Sequence, residues 1–211
     1  VTNQIKAVIF DMDGVLIDAK DWHFEALNKA LTIFGLNINR YDHLVTFDGL
    51  STSQKLNILS KTHVLPSILH GFINEMKQQY TMDITYQLCK PIFHHQYALS
   101  KLKQKGYKLA VASNSIRNTV KVMMERSSLI EYLDFYLSNQ DVKHGKPDPE
   151  IYNLAIKKLG LKPDQCLIVE DNENGLKAAK NSGAHVLKVE TIHDVTLDNI
   201  CHYISEIEKN D

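Results

Sequence analysis

Two carboxylates set one residue apart, Asp11 and Asp13, follow directly on the apolar run Ile5-Lys6-Ala7-Val8-Ile9-Phe10. An ionised Asp at the end of a buried strand is costly unless it is solvated, paired or bound to a metal. In extended backbone, residues two apart point the same way, so both carboxylates can serve one site. Gly14 lets the chain turn away and approach a ligand closely. Such a pair can also do no more than cap a helix or hold a surface loop, but three further clusters end similar runs. Ser113-Asn114-Ser115 follows Tyr107–Ala112, where a hydroxyl and the free N–H groups of a following helix form an anion cradle. The plainer alternative there is a serine N-cap. Lys146 sits in Gly145-Lys146-Pro147-Asp148-Pro149, positioned by a stiff loop, whereas a lone exposed Lys is only solvated. Glu170-Asp171-Asn172 follows Cys166–Val169. Two acidic clusters, a hydroxyl cradle and a lysine are the parts for Mg²⁺-assisted phosphoryl transfer, because hard oxygens hold Mg²⁺ and cations offset phosphate charge.

The elements that must position these groups alternate. Short apolar runs at Ile5–Phe10, Tyr107–Ala112, Phe135–Leu137, Cys166–Val169 and His185–Val189 read as strands buried on both faces. Helical patterns lie between them, at Tyr97–Lys105, Asn118–Arg126, Ile151–Leu159 and Asn174–Asn181, with Gly106, Gly160 and Gly183 near their ends. The expectation is an α/β fold: a Rossmann-like parallel sheet with helices on both faces and ligands at the carboxyl ends of its strands. From Asp18 to Lys90 the pattern changes. Trp22, Ala26, Ala30 and Phe34, then Leu56, Ile58 and Leu59, then Phe72, Ile73, Met76 and Tyr80 fall at helical spacing without strand-like runs. The expected organisation is a core of residues 1–17 and 91–211 with an all-helical cap inserted at 18–90. The tail from Leu197 reads as one more helix packing on the core.

Composition narrows the partners. Lys and Arg number 24 against 25 Asp and Glu, for a net charge of -1, so there is no basic surplus for nucleic acid and no polybasic anchor. No apolar stretch approaches the roughly 20 residues that span a bilayer. The three cysteines, Cys89, Cys166 and Cys201, are scattered and odd in number, which suggests neither a disulfide framework nor a metal knuckle. No basic region followed by an apolar signal core opens the sequence. A cytoplasmic protein acting on a small phosphorylated metabolite is expected, with a monomer as the default.

Phe10-Asp11-Met12-Asp13-Gly14-Val15-Leu16-Ile17-Asp18, Ala112-Ser113-Asn114-Ser115, Gly145-Lys146-Pro147-Asp148-Pro149 and Val169-Glu170-Asp171-Asn172-Glu173-Asn174-Gly175 together resemble the four ordered motifs of the haloacid dehalogenase superfamily. The branch is similar to that of phosphoglycolate phosphatase and β-phosphoglucomutase. One departure is Asn172, where relatives usually carry Ser. The resemblance implies that Asp11 is the nucleophile, forming an aspartyl-phosphate. It implies that Asp13 acts as general acid and base, and that Ser113 with the N–H of Asn114 grips the phosphoryl oxygens. Lys146 would neutralise charge. Mg²⁺ would be held by Asp11, the Asp13 carbonyl, Asp171 and Glu170.

Asp13 argues against halide-displacing and phosphonate-cleaving relatives, which lack that second acid. A phosphatase is favoured over a sugar phosphomutase. Mutase relatives grip a second phosphate with an Arg after Gly-x-Ser, whereas Gly49-Leu50-Ser51 here precedes Thr52. Arg117 or Lys77 are the remaining ways to hold such a phosphate. His23, Thr52, Asn114 and Arg117 are candidate contacts to a polar leaving group, with a sugar phosphate the first expectation. A cap closing on hinges at Gly14–Asp21 and Tyr86–Pro91 would exclude water. His94 and His95 read as surface or packing residues whose rings face different ways. A non-catalytic module on the same fold is the third alternative.

Overall fold

The computed structural model describes residues 4–47, 50–62 and 65–210. Among them, five strands form one parallel sheet: β1 (Ala7–Phe10), β2 (Lys108–Ala112), β3 (Phe135–Leu137), β4 (Cys166–Glu170) and β5 (His185–Lys188), in the order β3-β2-β1-β4-β5. Every residue of β1 and β4 is buried, as expected for parallel strands covered on both faces. In register, Phe10 lies beside Val111 of β2 and Val169 of β4. The strand order reverses at β1: the chain runs outward through β2 and β3, then returns to lay β4 on β1's other side. That reversal opens a crevice at the carboxyl ends of β1 and β4, where Asp11 and Asp171 follow their strands.

Contacts divide the chain into two units, Val1–Asp18 with Lys90–Asp211, and Ala19–Cys89. In the first, Ala7, Ile9, Ala110, Ala112, Cys166 and Ile168 point to one face and pack with Ile151, Tyr152, Ala155 and Ile156 of α7 (Glu150–Leu159) and Ala178 and Ala179 of α8 (Glu173–Asn181). The alternate residues Val8, Phe10, Leu109, Val111, Leu167 and Val169 face the other way and are equally buried. Of the remaining helices in this unit, α5 (Phe93–Gln104) packs on β2 and on α9 (Leu197–Asn210), and α6 (Arg117–Arg126) packs on β3. Gly160 closes α7 in the left-handed region, at φ 68°, which a residue with a Cβ adopts only under strain.

Among its described residues the second unit consists of helices joined by turns and irregular segments, with no strand. Its helices are α1 (Lys20–Thr32), the single turn α2 (Arg40–Asp42), α3 (Thr52–Thr62) and α4 (His70–Leu88), with a π-helical turn at His43–Phe47. Leu27, Ala30 and Leu31 of α1 meet Leu56, Leu59 and Ile73 in its core.

The helix expected at Tyr97–Lys105 begins four residues earlier, at Phe93. Phe93 is exposed, so no buried periodicity announces that first turn in the sequence. The turn is held instead by a histidine pair. His94 and His95 place their Nε2 atoms 3.3 and 2.7 Å from the same Ile192 carbonyl, with ring centroids 4.4 Å apart. The expectation that the two rings diverge is therefore corrected. Both converge on one acceptor, and His95 is a buried packing residue.

Candidate active site

At the end of β1 the ladder continues one step, with the Asp11 N–H donating to the Val169 carbonyl at 3.0 Å. The chain then folds back at once. The N–H groups of Leu16 and Ile17 both donate to the Met12 carbonyl at 2.9 Å, and the Gly14 N–H donates to the Ile17 carbonyl at 2.7 Å. Gly14 makes this turn at φ 90°. Asp11 is thereby fixed, almost fully buried, at the carboxyl end of the central strand.

Lys146 reaches the same point from the loop before α7. Its Nζ donates to Asp11 Oδ1 at 2.6 Å and to Glu170 Oε1 at 2.7 Å, and the Lys146 side chain is 3% exposed. The loop is tied at several places. Glu150 accepts from the N–H groups of Lys143 and His144, and Asp148 N–H donates to the Gly145 carbonyl. Across the site, the Asn114 amide clamps the main chain of Lys146. Its Nδ2 donates to the Lys146 carbonyl at 3.2 Å, and its Oδ1 accepts from the Lys146 N–H at 3.0 Å. Gly145 makes room for this clamp, since a Cβ there would lie 2.8 Å from Asn114 Oδ1.

Glu170 ends β4 with its side chain fully buried over the start of α8. Its Oε1 accepts from Lys146 and from the Tyr152 hydroxyl at 2.7 Å, and its Oε2 accepts from the Asp171 N–H at 3.0 Å. Gly175 is what admits that carboxylate, because a Cβ on it would sit 1.8 Å from Glu170 Oε1. Asn172 N-caps α8 by accepting from the Gly175 N–H at 3.0 Å. Ser and Asn are interchangeable in that capping role, which gives the departure at Asn172 a physical reason.

The electrostatics are unbalanced. Burial pushes the Asp11 carboxyl well above the usual carboxylate range. Lys146 opposes that rise, and Glu170, Asp171 and Asp13 add to it. Burial alone would lower the Lys146 ammonium, but Asp11 and Glu170 outweigh it and hold it above its ordinary value, so it stays charged. Asp11, Glu170 and Asp171 each offer an oxygen within 4.8 Å of the others. Three clustered carboxylates with one ammonium between two of them form a hard-oxygen set with surplus negative charge, which fits a divalent cation.

The remaining expected residues divide. Ser113 is buried just past β2 and accepts from the Ser115 N–H at 3.0 Å. Ser115 donates its hydroxyl to Asp13 Oδ2 at 2.8 Å, which joins the first and second clusters. Neither serine caps α6, whose N-cap is Ile116 without a side-chain bond. The Asn114 side chain is spent on the main chain of Lys146. Arg117 is half exposed and its guanidinium pairs with Asp141. His23 and Thr52 belong to the helical unit. There His23 Nδ1 lies 3.2 Å from Lys77 Nζ, and Thr52 opens α3. Gly49 lies outside the described residues. Sequence reasoning named Ser115 only within its cluster, without its contact to Asp13, and missed Tyr152. The signal for Tyr152 was faint: a phenol at a position whose helical neighbours all face the core.

Comparison with known proteins follows the same pattern. A family model described as "Haloacid dehalogenase-like hydrolase" matches residues 8–189. A phosphorylated carbohydrates phosphatase of Thermotoga maritima is 32% identical over 182 residues, covering 85% of this chain and 82% of that protein. A probable pseudouridine-5'-phosphatase of Saccharomyces cerevisiae is 30% identical over 198 residues, covering 88% and 82%. The crystal structure of a β-phosphoglucomutase from Clostridium difficile superposes with a TM-score of 0.83 at 22% identity, covering 98% of each chain. At that identity the likeness is one of fold. No helix among the described residues is long and apolar enough to cross a membrane.

Proposed function

The chain belongs to the haloacid dehalogenase-like hydrolase family, and on that premise we propose that it is a Mg²⁺-dependent phosphatase of small phosphomonoesters, with sugar phosphates as the first class of substrate. The observation that carries the proposal is the buried contact of Lys146 with Asp11 beside the Glu170–Asp171 pair. The two relatives described above, both phosphatases, favour hydrolysis over phosphomutase action. The Thermotoga maritima relative favours carbohydrate phosphates.

We assign the roles that the family resemblance implies, and the geometry of the site supports them. Asp11 is the nucleophile. It attacks phosphorus as the P–O bond to the leaving alcohol breaks, and water later attacks the aspartyl-phosphate to release inorganic phosphate and free Asp11. Asp13 protonates the departing alkoxide and then takes the proton of the incoming water, and Ser115 orients its carboxylate. Ser113 and the Asn114 N–H bind the phosphoryl oxygens. Lys146 draws charge from both the transferring group and Asp11. Asp11, the Asp13 carbonyl and Asp171 would hold Mg²⁺, with Glu170 behind them. When bound, the ion offsets the repulsion between carboxylate and phosphate.

The test is phosphate release from a panel of phosphomonoesters that includes hexose phosphates, with Mg²⁺ and with a chelator. Hexose 1-phosphate isomerisation is measured in parallel. Mg²⁺-dependent hydrolysis, strongest on sugar phosphates, is expected. Isomerisation outpacing hydrolysis, or inactivity across the panel, would overturn the proposal.

A further inference from the structure

Tyr152 is a fully buried titratable residue with no part in the chemistry above. It lies on α7, one turn from the loop that carries Lys146, and its hydroxyl donates to Glu170 Oε1 at 2.7 Å. The Lys146 Nζ stands 4.7 Å from the centre of its ring. The Lys146 ammonium thus has a carboxylate on each of two sides and an aromatic face on a third, an arrangement that attracts a cation. Burial pushes the phenol well above its ordinary value, and the Glu170 and Asp11 carboxylates add to this, so it remains a donor at any working pH.

We propose that Tyr152 is the positioning residue for Lys146, its hydroxyl holding Glu170 in place and its ring seating the ammonium so that Nζ is aimed at Asp11. The proposal rests on the phosphatase reading only for its kinetic consequence. Glu170 Oε1 accepts two hydrogen bonds, one from Lys146 and one from Tyr152. If the phenol donor is removed, the oxygen keeps only the ammonium. A buried carboxylate short of a donor draws its remaining cation closer, and Lys146 shifts toward Glu170 and off Asp11. The loss then falls on the step in which Lys146 offsets developing charge, not on substrate capture.

Tyr152→Phe keeps the ring and removes the hydroxyl. The expected result on a substrate hydrolysed by the wild type is a kcat lower by about tenfold, with KM within about twofold. The proton–nitrogen NMR signal of the Lys146 ammonium, assigned by Lys146→Met, should be sharp in the wild type and shifted or broadened in the variant. Tyr152→Met, which fills the space with a flexible apolar chain, serves if the Phe variant does not fold and should show the same loss. An unchanged kcat, a loss confined to KM, or an ammonium signal identical to wild type would overturn the proposal. A wild type inactive on every phosphomonoester would sink the phosphatase reading instead, and the NMR comparison would still decide where Lys146 is held.

Discussion

Lys146 Nζ lies 2.6 Å from Asp11 Oδ1 although 135 positions separate the two residues in the chain. Both are almost fully buried, so the pair is screened little by solvent, and removing one partner strands the other. Lys146→Met leaves Asp11 and Glu170 facing each other without their shared cation. The expected cost at neutral pH is about 3–5 kcal/mol of unfolding free energy, measured by urea denaturation with chelator present. Lys146→Met combined with Glu170→Gln should recover part of that loss without recovering activity. Two losses that simply add would show that the groups are not coupled.

Gly175 and Gly160 supply a matched contrast. In Gly175→Ala the new Cβ meets the Glu170 carboxylate, which cannot retreat because both its oxygens are engaged. A loss of at least about 2 kcal/mol is expected, together with a kcat reduced about tenfold or more as Lys146 loses its anchor. Gly160→Ala meets nothing within 4 Å and suffers only its left-handed backbone. It should cost about 1 kcal/mol with normal turnover. Equal effects on activity would contradict the place given to Glu170.

Asn114 was expected to touch the leaving group, and the structure spends its amide on the Lys146 peptide. Asn114→Ala removes both hydrogen bonds, for an expected loss of about 1–3 kcal/mol. Steady-state kinetics separate the two roles. A clamp predicts that kcat falls and KM moves little, whereas a direct substrate contact would raise KM.

His95 governs stability on the acid side. Burial lowers its imidazole from 6.5 to about 4 in the folded protein, so between those values the unfolded chain binds the proton more readily. The neutral ring's contribution is complete above about pH 6.5 and is lost as pH falls toward 4, by up to about 3 kcal/mol. Asp11, raised in the folded state, works in the opposite direction, so the wild type is best compared with His95→Gln. The variant's unfolding free energy should fall less steeply between pH 6.5 and 4. Parallel curves would show that His95 titrates normally.

The strands were legible because residues such as Val8, Ile9 and Phe10 are buried on both faces, and that leaves a continuous apolar run in the sequence. The acidic, hydroxyl and lysine clusters were legible because each ends such a run, and parallel strands bring those ends together. The choice of partner was not legible. Whether Asn114 turns to a ligand or to the Lys146 peptide, and whether Ser115 caps α6 or meets Asp13, depends on distances of a few ångströms between residues far apart in the chain. Tyr152 was hidden because its ring fits an apolar helix face as well as Phe would, and only the position of Glu170 gives its hydroxyl a purpose. The first turn of α5 was missed because an exposed Phe93 breaks the periodicity.

The most direct measurement is to mix the enzyme with Mg²⁺ and a labelled sugar phosphate, quench in acid within one turnover, and map the protein-bound phosphoryl group by peptide mass spectrometry. It should be found on Asp11 in the wild type. It should be absent in Asp11→Asn, whose kcat should fall by about 10⁴-fold or more while the variant remains folded. Turnover by Asp11→Asn at a rate near wild type, or a phosphoryl group recovered on any other residue, would contradict Asp11 as the nucleophile.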